Sequence, residues 1–356
     1  MDTGSEERVQ AYQKIRPLFE GFAKKLKILL EDLIGKEGIE YHLVEARTKS
    51  YESFREKITR PDKNYNDPLK EITDLAGLRV SVYYLDDVKR VAKLVEEEFV
   101  IDWPNSVDKG TQLKPNEFGY RSLHYVVSLS ETRRRLAEWE DFKDLQAEIQ
   151  IRTVLQHAWA AIDHALRYKK ESDVPSQLRR RLYRLSGLLE LADEEFSSLK
   201  EAQRSLREEF RNRLQKKDVD LEVNVITLWE YIEISKHVAC LVDVAKKSGA
   251  KIRPPKEYDL SELVTYCSDV GITRISELDT FLKGNLDCVP SYFGKLMSSH
   301  SLTTNASYLI IYLLIPSHPS IFTFSYMKKK RWREDLLKSI FVYGKELREN
   351  QTSQKT

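Results

Sequence analysis

The chain has 356 residues, of which 41% are hydrophobic, including five Trp and 18 Tyr. This is enough apolar material for one or two folded domains, and it excludes an intrinsically disordered protein. The 58 Lys and Arg residues nearly balance the 56 Asp and Glu residues, for a net charge of +2, so overall charge does not predict nucleic-acid binding.

The sequence shows no pattern typical of a disulfide framework, a signal peptide or a membrane-spanning helix. The three cysteines are far apart and include no CxxC pair, which argues against a disulfide framework and a structural zinc site. The acidic start, MDTGSEERVQ, is unlike a signal peptide. The most apolar stretch, residues 306–324, is broken by Pro316 and Pro319, leaving about nine apolar residues where a membrane span needs roughly twenty. The sequence predicts a cytoplasmic enzyme or binding protein without membrane association.

The chain begins with helices and strands in alternation. Apolar residues recur every three or four positions over residues 15–33, which predicts an amphipathic helix ending at Gly35. Residues 39–46 predict a short strand. Residues 51–58, with apolar residues on one side, predict a second helix.

Two ammonium groups and a hydroxyl are spaced by four residues around that second helix. Lys49, Ser53 and Lys57 should therefore follow one helix face. At a helix N-terminus such groups suit a polyphosphate, because the helix dipole and backbone N–H groups add to their charge. A solvated lysine face is the commoner arrangement, and the pattern taken alone favours it.

Residues 74–84 predict a second strand with an acidic residue at its start. Leu78, Val80 and Val82 alternate with polar residues, as in a half-buried strand. Asp74 precedes the strand, and we expect Gly77 to allow a tight backbone turn there. Such an Asp is usually a turn cap, but it can bind a metal if a second carboxylate reaches it.

A third strand is predicted over residues 123–129, with His124 on its more polar side. The glycine-containing loop before it presents Tyr120 and Arg121. Tyr120 could stack on a nucleobase or close the edge of the core, and the residues alone favour the core.

The segment 145–168 provides the strongest indication of a functional site. Its first half alternates, with Gln146, Glu148, Gln150 and Arg152 on one face, which predicts a half-buried strand. Its second half changes to a helical period, with Thr153 as the predicted cap. Because polar side chains that converge at the end of a strand usually line a site, we take Glu148 as the candidate chemical centre.

The last third predicts helices only. A capping box at residues 227–230 opens one helix, residues 259–267 form another that Gly271 stops, and residues 275–282 begin a third. The last two have helix-turn-helix spacing but no basic recognition face, so helical packing is favoured over DNA binding. The basic run 328–333, with an aromatic residue inside it, either contacts RNA or is the commoner solvated helix face.

Four motifs in series resemble the synthetase domain of the RelA/SpoT family, and most closely its small alarmone synthetases. They are RxKSxxSxxxK, DLAGLRV, GYRSLHY and AEIQIRTxxQHAWAxIDH, and the resemblance covers about residues 39–202. It implies an α+β fold, a mixed five-stranded sheet flanked by helices and related to nucleotidyltransferases. It also implies an enzyme that transfers pyrophosphate from ATP to the ribose 3′-hydroxyl of GDP or GTP, with Mg²⁺ as cofactor.

The resemblance implies a role for each matching position. ATP would be bound through its adenine by Arg47 and Arg79 and through its phosphates by Lys49, Ser53 and Lys57. The acceptor would be bound by Tyr120 at its base and by Arg121, His124, Gln150, Arg152 and His157. The catalytic residues would be Asp74 and Glu148, which would both bind Mg²⁺. Glu148 would also take the proton from the attacking hydroxyl.

The sequence leaves the acceptor open. Phe118 lies in what looks like a lengthened loop, and Gln156-His157 departs from the compact synthetases; we expect both to alter acceptor contacts. The loop around Phe118, the extra C-terminal domain and the basic run at Lys328 raise an alternative: toxic relatives that modify the tRNA 3′ end or make adenosine alarmones and are restrained by a fused or neighbouring antitoxin. A non-catalytic nucleotide sensor is a second. No His precedes an Asp, so the hydrolase activity of long family members is not expected.

We predict three regions along the chain. Residues 1–215 would form the pyrophosphotransferase domain, residues 220–348 a mainly α-helical regulatory or interaction domain, and residues 349–356 a disordered tail. The resemblance also raises homo-oligomerisation and a protein partner for the helical domain as expectations.

Overall fold

The computed structural model describes residues 3–61, 63–108, 122–166, 176–216, 218–345 and 347. The chain divides into two compact units, Met1–Lys200 and Glu201–Thr356. The predicted disordered tail, residues 349–356, lies outside the described residues.

The first unit is built on a mixed sheet. Its strands are β1 (Tyr41–Thr48), β2 (Ala76–Val82), β3 (Phe99–Ile101), β4 (Val107–Asp108), β5 (Leu123–Leu129) and β6 (Gln146–Thr153). Five of them follow the order β1-β2-β6-β5-β3, and the two-residue β4 pairs with β5. Only the β2–β6 pair among these is parallel. The predicted mixed five-stranded sheet is confirmed, with β4 as an addition.

One face of this sheet forms the hydrophobic core. The helices of the unit are α1 (Thr3–Lys36), α2 (Tyr51–Ile58), α3 (Pro68–Glu71), α4 (Leu85–Glu98), α5 (Glu131–Arg134), α6 (Val154–Leu166) and the start of α7 (Ser176–Gln215). Helices α1 and α4 pack against the sheet, where Leu26, Val80 and Ile149 are fully buried. Because side chains alternate along a strand, the opposite face is left for polar residues.

Two glycines differ from their predicted roles. Helix α1 continues past Gly35 to Lys36, and Gly38 has the left-handed φ of 61° that follows the helix end. Gly77 makes no turn. It lies inside β2, paired with Arg47 on one side and Glu148 on the other.

The second unit is almost entirely helical, as predicted. Its helices are α8 (Val225–Ile234), α9 (Lys236–Lys247), α10 (Glu257–Asp269), α11 (Ile275–Asn285), α12 (Val289–Ser299), α13 (Ala306–Ser317), α14 (Phe324–Lys329) and α15 (Glu334–Tyr343). Two short parallel strands, β7 (Lys251–Ile252) and β8 (Thr303–Thr304), complete it. Helix α13 is buried along its length, so the most apolar stretch of the sequence is core. Within the described part of the chain, no helix is long and apolar enough to span a membrane.

Two residues of this unit, Thr227 and Trp332, have structural roles that differ from the predicted ones. The N-cap of helix α8 is Asn224, three residues before the predicted cap Thr227, and Asn224 forms the reciprocal capping box with Thr227. In the basic run, the Trp332 indole donates to the Tyr266 hydroxyl at 2.8 Å, while residues 328 and 333 pair with acidic residues 334 and 335. The aromatic residue of the run therefore packs inside the unit instead of being presented to RNA.

Candidate active site

The polar face of the sheet carries two rows of side chains that run across the strands. Cross-strand partners share a face, and the strand register aligns Glu45, Arg79, Gln150 and His124. The next row contains Arg47, Gly77, Glu148 and Val126 in the same order. The strands thus bring predicted ATP-binding, acceptor-binding and catalytic residues onto one surface.

Gly77 opens this surface between two charged residues. Because it has no side chain, it leaves a gap between Arg47 and Glu148, and it lines a cavity of about 230 Å³. The cavity is lined by Arg47, Thr48, Lys49, Ser50, Ser53, Asp74, Gly77, Leu78, Glu148 and Gln150. A Cβ at position 77 would meet the backbone oxygens of Glu148 and Arg47 only at 3.8 and 3.9 Å. Steric crowding therefore does not require a glycine at position 77. The effect of the glycine is to leave the cavity free of a side chain at this point.

Asp74 lines the cavity and lies between two lysines. Lys49 Nζ is 2.5 Å from its Oδ2, and Lys57 Nζ is 2.9 Å from its Oδ1. Lys49 precedes α2, whose N-cap is Ser50, so the three predicted phosphate-binding residues do not all lie on one helix face. The two ammonium groups nevertheless meet at one carboxylate, which excludes a merely solvated lysine face.

Helix α1 fixes the backbone of Lys49. The hydroxyl of Tyr12 and Nε of Arg16 both donate to the Lys49 carbonyl oxygen, at 2.7 and 3.2 Å, and the Lys49 N–H donates to the Leu75 carbonyl. These contacts place Lys49 beside Asp74. Sequence reasoning did not find Tyr12 and Arg16, because a hydroxyl and a guanidinium inside an amphipathic helix carry no motif.

Both carboxyl groups of the site are expected to be ionised at neutral pH. Burial by itself would raise the pKa of Asp74, but Lys49 and Lys57 outweigh it and hold that pKa below its usual range. Burial likewise opposes ionisation of Glu148, but the hydrogen bond from His124 and the charge of that ring lower the Glu148 pKa overall. The negative charge of Asp74 acts on the Glu148 pKa in the opposite direction, and both carboxylates line the same cavity.

His124 contacts Glu148 directly. Its Nδ1 is hydrogen-bonded to Glu148 Oε1, and Gln150 Nε2 approaches the same oxygen at 3.5 Å. His124 and Glu148 lie on adjacent strands and are mostly buried. The structure therefore joins His124, predicted on the acceptor side, to the candidate base itself.

Other predicted residues lie around this centre. Arg79 pairs with Glu45 at 3.0 Å, and Arg152 is buried at the end of β6. Burial, followed by the charges of Arg152 and Arg79, lowers the pKa of His157, so this ring is expected to be neutral at pH 7. Tyr120 and Arg121 lie outside the described residues, as does Phe118.

Gln156 has a local structural role. Its Oε1 accepts from the Thr153 N–H at 2.9 Å, and its own N–H donates to Thr153 Oγ1 at 3.1 Å. This reciprocal capping box at the start of α6 confirms Thr153 as the cap. The side chain that was expected to alter acceptor contacts is engaged with the backbone instead.

The site offers hard oxygen ligands for a divalent cation. Among the described residues, no group of three or more His, Cys, Asp or Glu side chains could hold a metal ion. Mg²⁺, however, is commonly held by one or two carboxylates together with substrate phosphates and waters. Two ionised carboxylates that line one cavity, Asp74 and Glu148, fit that requirement.

Comparison with known proteins identifies the family. The model described as "Region found in RelA / SpoT proteins" matches residues 46–173. The GTP pyrophosphokinase YjbM of Bacillus subtilis (strain 168) is 33% identical over 163 residues, which are 44% of this chain and 71% of that protein. The chain belongs to the RelA/SpoT family. Its relative YwaC, also a GTP pyrophosphokinase of Bacillus subtilis, is 29% identical over 157 residues, with the same coverage of 44% and 71%.

Solved structures of related proteins also match part of the chain. Small alarmone synthetase 1 from Bacillus subtilis has a TM-score of 0.47 and 27% identity, covering 55% of this chain and 98% of that one. A GTP pyrophosphokinase family protein from Streptococcus pneumoniae has a TM-score of 0.45 and 29% identity, covering 54% and 94%.

Proposed function

We propose that this chain is a GTP pyrophosphokinase, which transfers the β,γ-pyrophosphate of ATP to the ribose 3′-hydroxyl of GDP or GTP and releases AMP. The observation that carries the proposal is the cavity over Gly77, where Arg47, Lys49, Asp74 and Glu148 converge. Its relatives YjbM and YwaC bear the name of this activity, and a structure of small alarmone synthetase 1 is described as bound to its product pppGpp.

On the donor side, the chain supplies three cations around the cavity. Lys49 and Lys57 are held together by Asp74, and Arg47 lines the same cavity as Lys49 and Asp74. Charge that develops on phosphate oxygens is stabilised by preorganised cations. We assign the ATP phosphates to Lys49, Lys57 and the Ser53 hydroxyl, and the adenine to Arg47 and Arg79.

On the acceptor side, Glu148 is the proposed base. An ionised carboxylate within hydrogen-bond reach can accept a hydroxyl proton as the oxygen attacks phosphorus. His124 and Gln150 both contact its Oε1, so that oxygen is fixed in position. We assign His124, Gln150, Arg152 and His157 to acceptor binding or its support, and the same proposal covers Tyr120 and Arg121.

We assign a magnesium ion to Asp74 and Glu148. When bound, it would neutralise charge on the transferred phosphates. The chain's own contribution is to keep both carboxylates ionised, through Lys49 and Lys57 for one and His124 for the other.

The proposal predicts a product that depends on one hydroxyl group. The pure chain, given ATP labelled at its γ-phosphate, Mg²⁺ and GDP or GTP, is expected to form labelled ppGpp or pppGpp with one AMP per product. The matched control is 3′-deoxy-GTP, which keeps base and phosphates but lacks the attacked hydroxyl and should accept no label. Release of AMP without any 3′-pyrophosphorylated guanosine would overturn the assignment.

The same experiment addresses the alternatives. Label that enters deacylated tRNA or an adenosine nucleotide, and not GDP or GTP, would identify a relative with another acceptor. No turnover with any acceptor would favour a nucleotide sensor. Because Trp332 of the basic run is engaged inside the second unit, the run gives less support to a tRNA acceptor.

A further inference from the structure

Two residues of helix α1 hold the backbone of Lys49. Lys49 lies outside regular secondary structure, in the short connection between β1 and α2. Its carbonyl oxygen accepts hydrogen bonds from the Tyr12 hydroxyl at 2.7 Å and from Arg16 Nε at 3.2 Å. Its N–H donates to the carbonyl of Leu75, the residue that directly follows Asp74. Both peptide groups of Lys49 are therefore fixed, one by α1 and the other by the segment that carries Asp74.

The two donors on α1 are themselves packed against the start of α2. Tyr12 is fully buried. Its ring stacks on Phe54 with centroids 4.4 Å apart and meets Tyr51 edge-on at 6.1 Å. The Arg16 guanidinium lies 5.3 Å from the centre of the Tyr51 ring. Aromatic pairs and cation–π contacts of this kind orient the side chains that make them. Burial also raises the pKa of Tyr12 to about 12, so its hydroxyl keeps the proton that it donates at neutral pH.

This packing lies directly beside the donor side of the site. Lys49 and Lys57 both pair with Asp74, and Lys57 belongs to α2, the helix against which Tyr12 packs. Helix α1 spans Thr3–Lys36, outside the residues that the family model matches. The position of a donor-side lysine therefore depends on a part of the chain that the family motifs do not include.

We propose that Tyr12 and Arg16 are positioning residues for the phosphates of ATP, and that they act through Lys49. The inference rests on the proposed function, since it takes Lys49 to bind those phosphates. Neither Tyr12 nor Arg16 is among the described residues that line the cavity, so neither is a catalytic residue. An ammonium group on a flexible four-carbon side chain gains precision when its backbone is held, and a small misplacement of a group that orients a substrate lowers the rate.

Steady-state kinetics of the full-length chain give the first test. Tyr12→Phe keeps the ring and removes only the hydroxyl, and Arg16→Met keeps an apolar side chain and removes the N–H donors. Each is expected to lower kcat/KM for ATP about 2- to 10-fold, the range of one net hydrogen bond, with the KM for GDP unchanged. The double variant should lose on the order of 100-fold, because the carbonyl oxygen then has neither donor.

Tyr125→Phe is the matched control for these variants. It removes the hydrogen bond from a tyrosine hydroxyl to Glu96 in the same unit, and Tyr125 is nearly as buried as Tyr12. Its kcat/KM for ATP should equal that of the wild type. A Tyr125→Phe chain that loses as much as Tyr12→Phe would show that any lost tyrosine bond in the unit has this effect, and would overturn the proposal.

The second test removes the side chain through which both residues act. In a Lys49→Ala chain the carbonyl oxygen and its two hydrogen bonds remain, but the ammonium group is gone. Tyr12→Phe should then lower the melting temperature as it does with Lys49 present, and it should cause no further loss of kcat/KM for ATP. An equal loss with and without the Lys49 side chain, or a loss shared by ATP and GDP, would reduce Tyr12 to a structural role and contradict the proposal.

Equilibrium binding of ATP, measured with Mg²⁺ and without an acceptor, separates this inference from the proposed function. If the chain binds ATP but transfers nothing, the proposed function fails, and Tyr12→Phe should still weaken ATP binding. If the wild type transfers pyrophosphate and the chain with both Tyr12→Phe and Arg16→Met has wild-type ATP kinetics, the positioning role alone is refuted. A chain that binds no ATP would contradict both.

Discussion

Replacement of Glu148 by Gln is expected to lower the rate of pyrophosphate transfer by about 10²- to 10⁴-fold, the range for loss of a general base. Gln has the same shape and keeps an oxygen that can accept the hydrogen bond from His124. It cannot take a proton from the acceptor hydroxyl, and it is a weaker ligand for a divalent cation. The effect should therefore fall on turnover, with the fold intact.

Single-turnover kinetics separate this loss from a binding defect. Rapid mixing of excess Glu148→Gln enzyme with labelled ATP and GDP gives the transfer rate itself, and equilibrium binding of ATP gives its affinity. Glu140→Gln is the matched control, because Glu140 is an exposed carboxylate that pairs with Lys143 just before the same strand. A Glu148→Gln enzyme that transfers within a few-fold of the wild-type rate would remove Glu148 from the role of base.

Replacement of Asp74 by Asn is expected to lower transfer by on the order of 10² to 10³-fold, as when one preorganised electrostatic group is removed. The change has two consequences in this site. One of two candidate metal ligands loses its charge, and Lys49 and Lys57 lose the carboxylate that holds both of them. Because those lysines remain, binding of ATP without Mg²⁺ should not weaken.

The dependence of rate on Mg²⁺ concentration tests this assignment. The Asp74→Asn enzyme should need more Mg²⁺ for half-maximal rate, and excess Mg²⁺ should restore part of the activity. Asp86→Asn, at an exposed carboxylate paired with Lys89, should match the wild type. An Asp74→Asn enzyme with reduced turnover but an unchanged Mg²⁺ requirement would show that Asp74 only positions the lysines.

Much of the first unit was predictable because its signals are local. The alternation over Gln146–Thr153 and the change of period at Thr153 follow from side-chain geometry within one segment, and the structure has β6 and α6 there. The convergence of Lys49 and Lys57 on Asp74 was not predictable from periodicity. It depends on Tyr12, Arg16 and a backbone contact to Leu75, which are distant in sequence.

The wrong predictions have a common origin in residue types with more than one use. Gly77 was assigned to a turn because glycine permits unusual backbone angles. In the structure it lies inside strand β2, and its missing side chain leaves space for the cavity. Thr227 was assigned as the N-cap of α8, but the N-cap is Asn224. Thr227 lies in the first turn, where its hydroxyl accepts a hydrogen bond from the Asn224 N–H. In each case the tertiary or hydrogen-bonding partner decides, and the partner is not part of the local pattern.

Acceptor competition is the measurement that tests the proposed function most directly. The full-length chain is incubated with γ-labelled ATP and Mg²⁺ in one reaction that contains GDP, GTP, AMP, ADP and deacylated tRNA, and the labelled products are separated and identified by mass. The account predicts that label accumulates in ppGpp and pppGpp, and that Glu148→Gln slows the formation of both products together. Label found on tRNA or an adenosine nucleotide, with the guanosine nucleotides unlabelled, would contradict it.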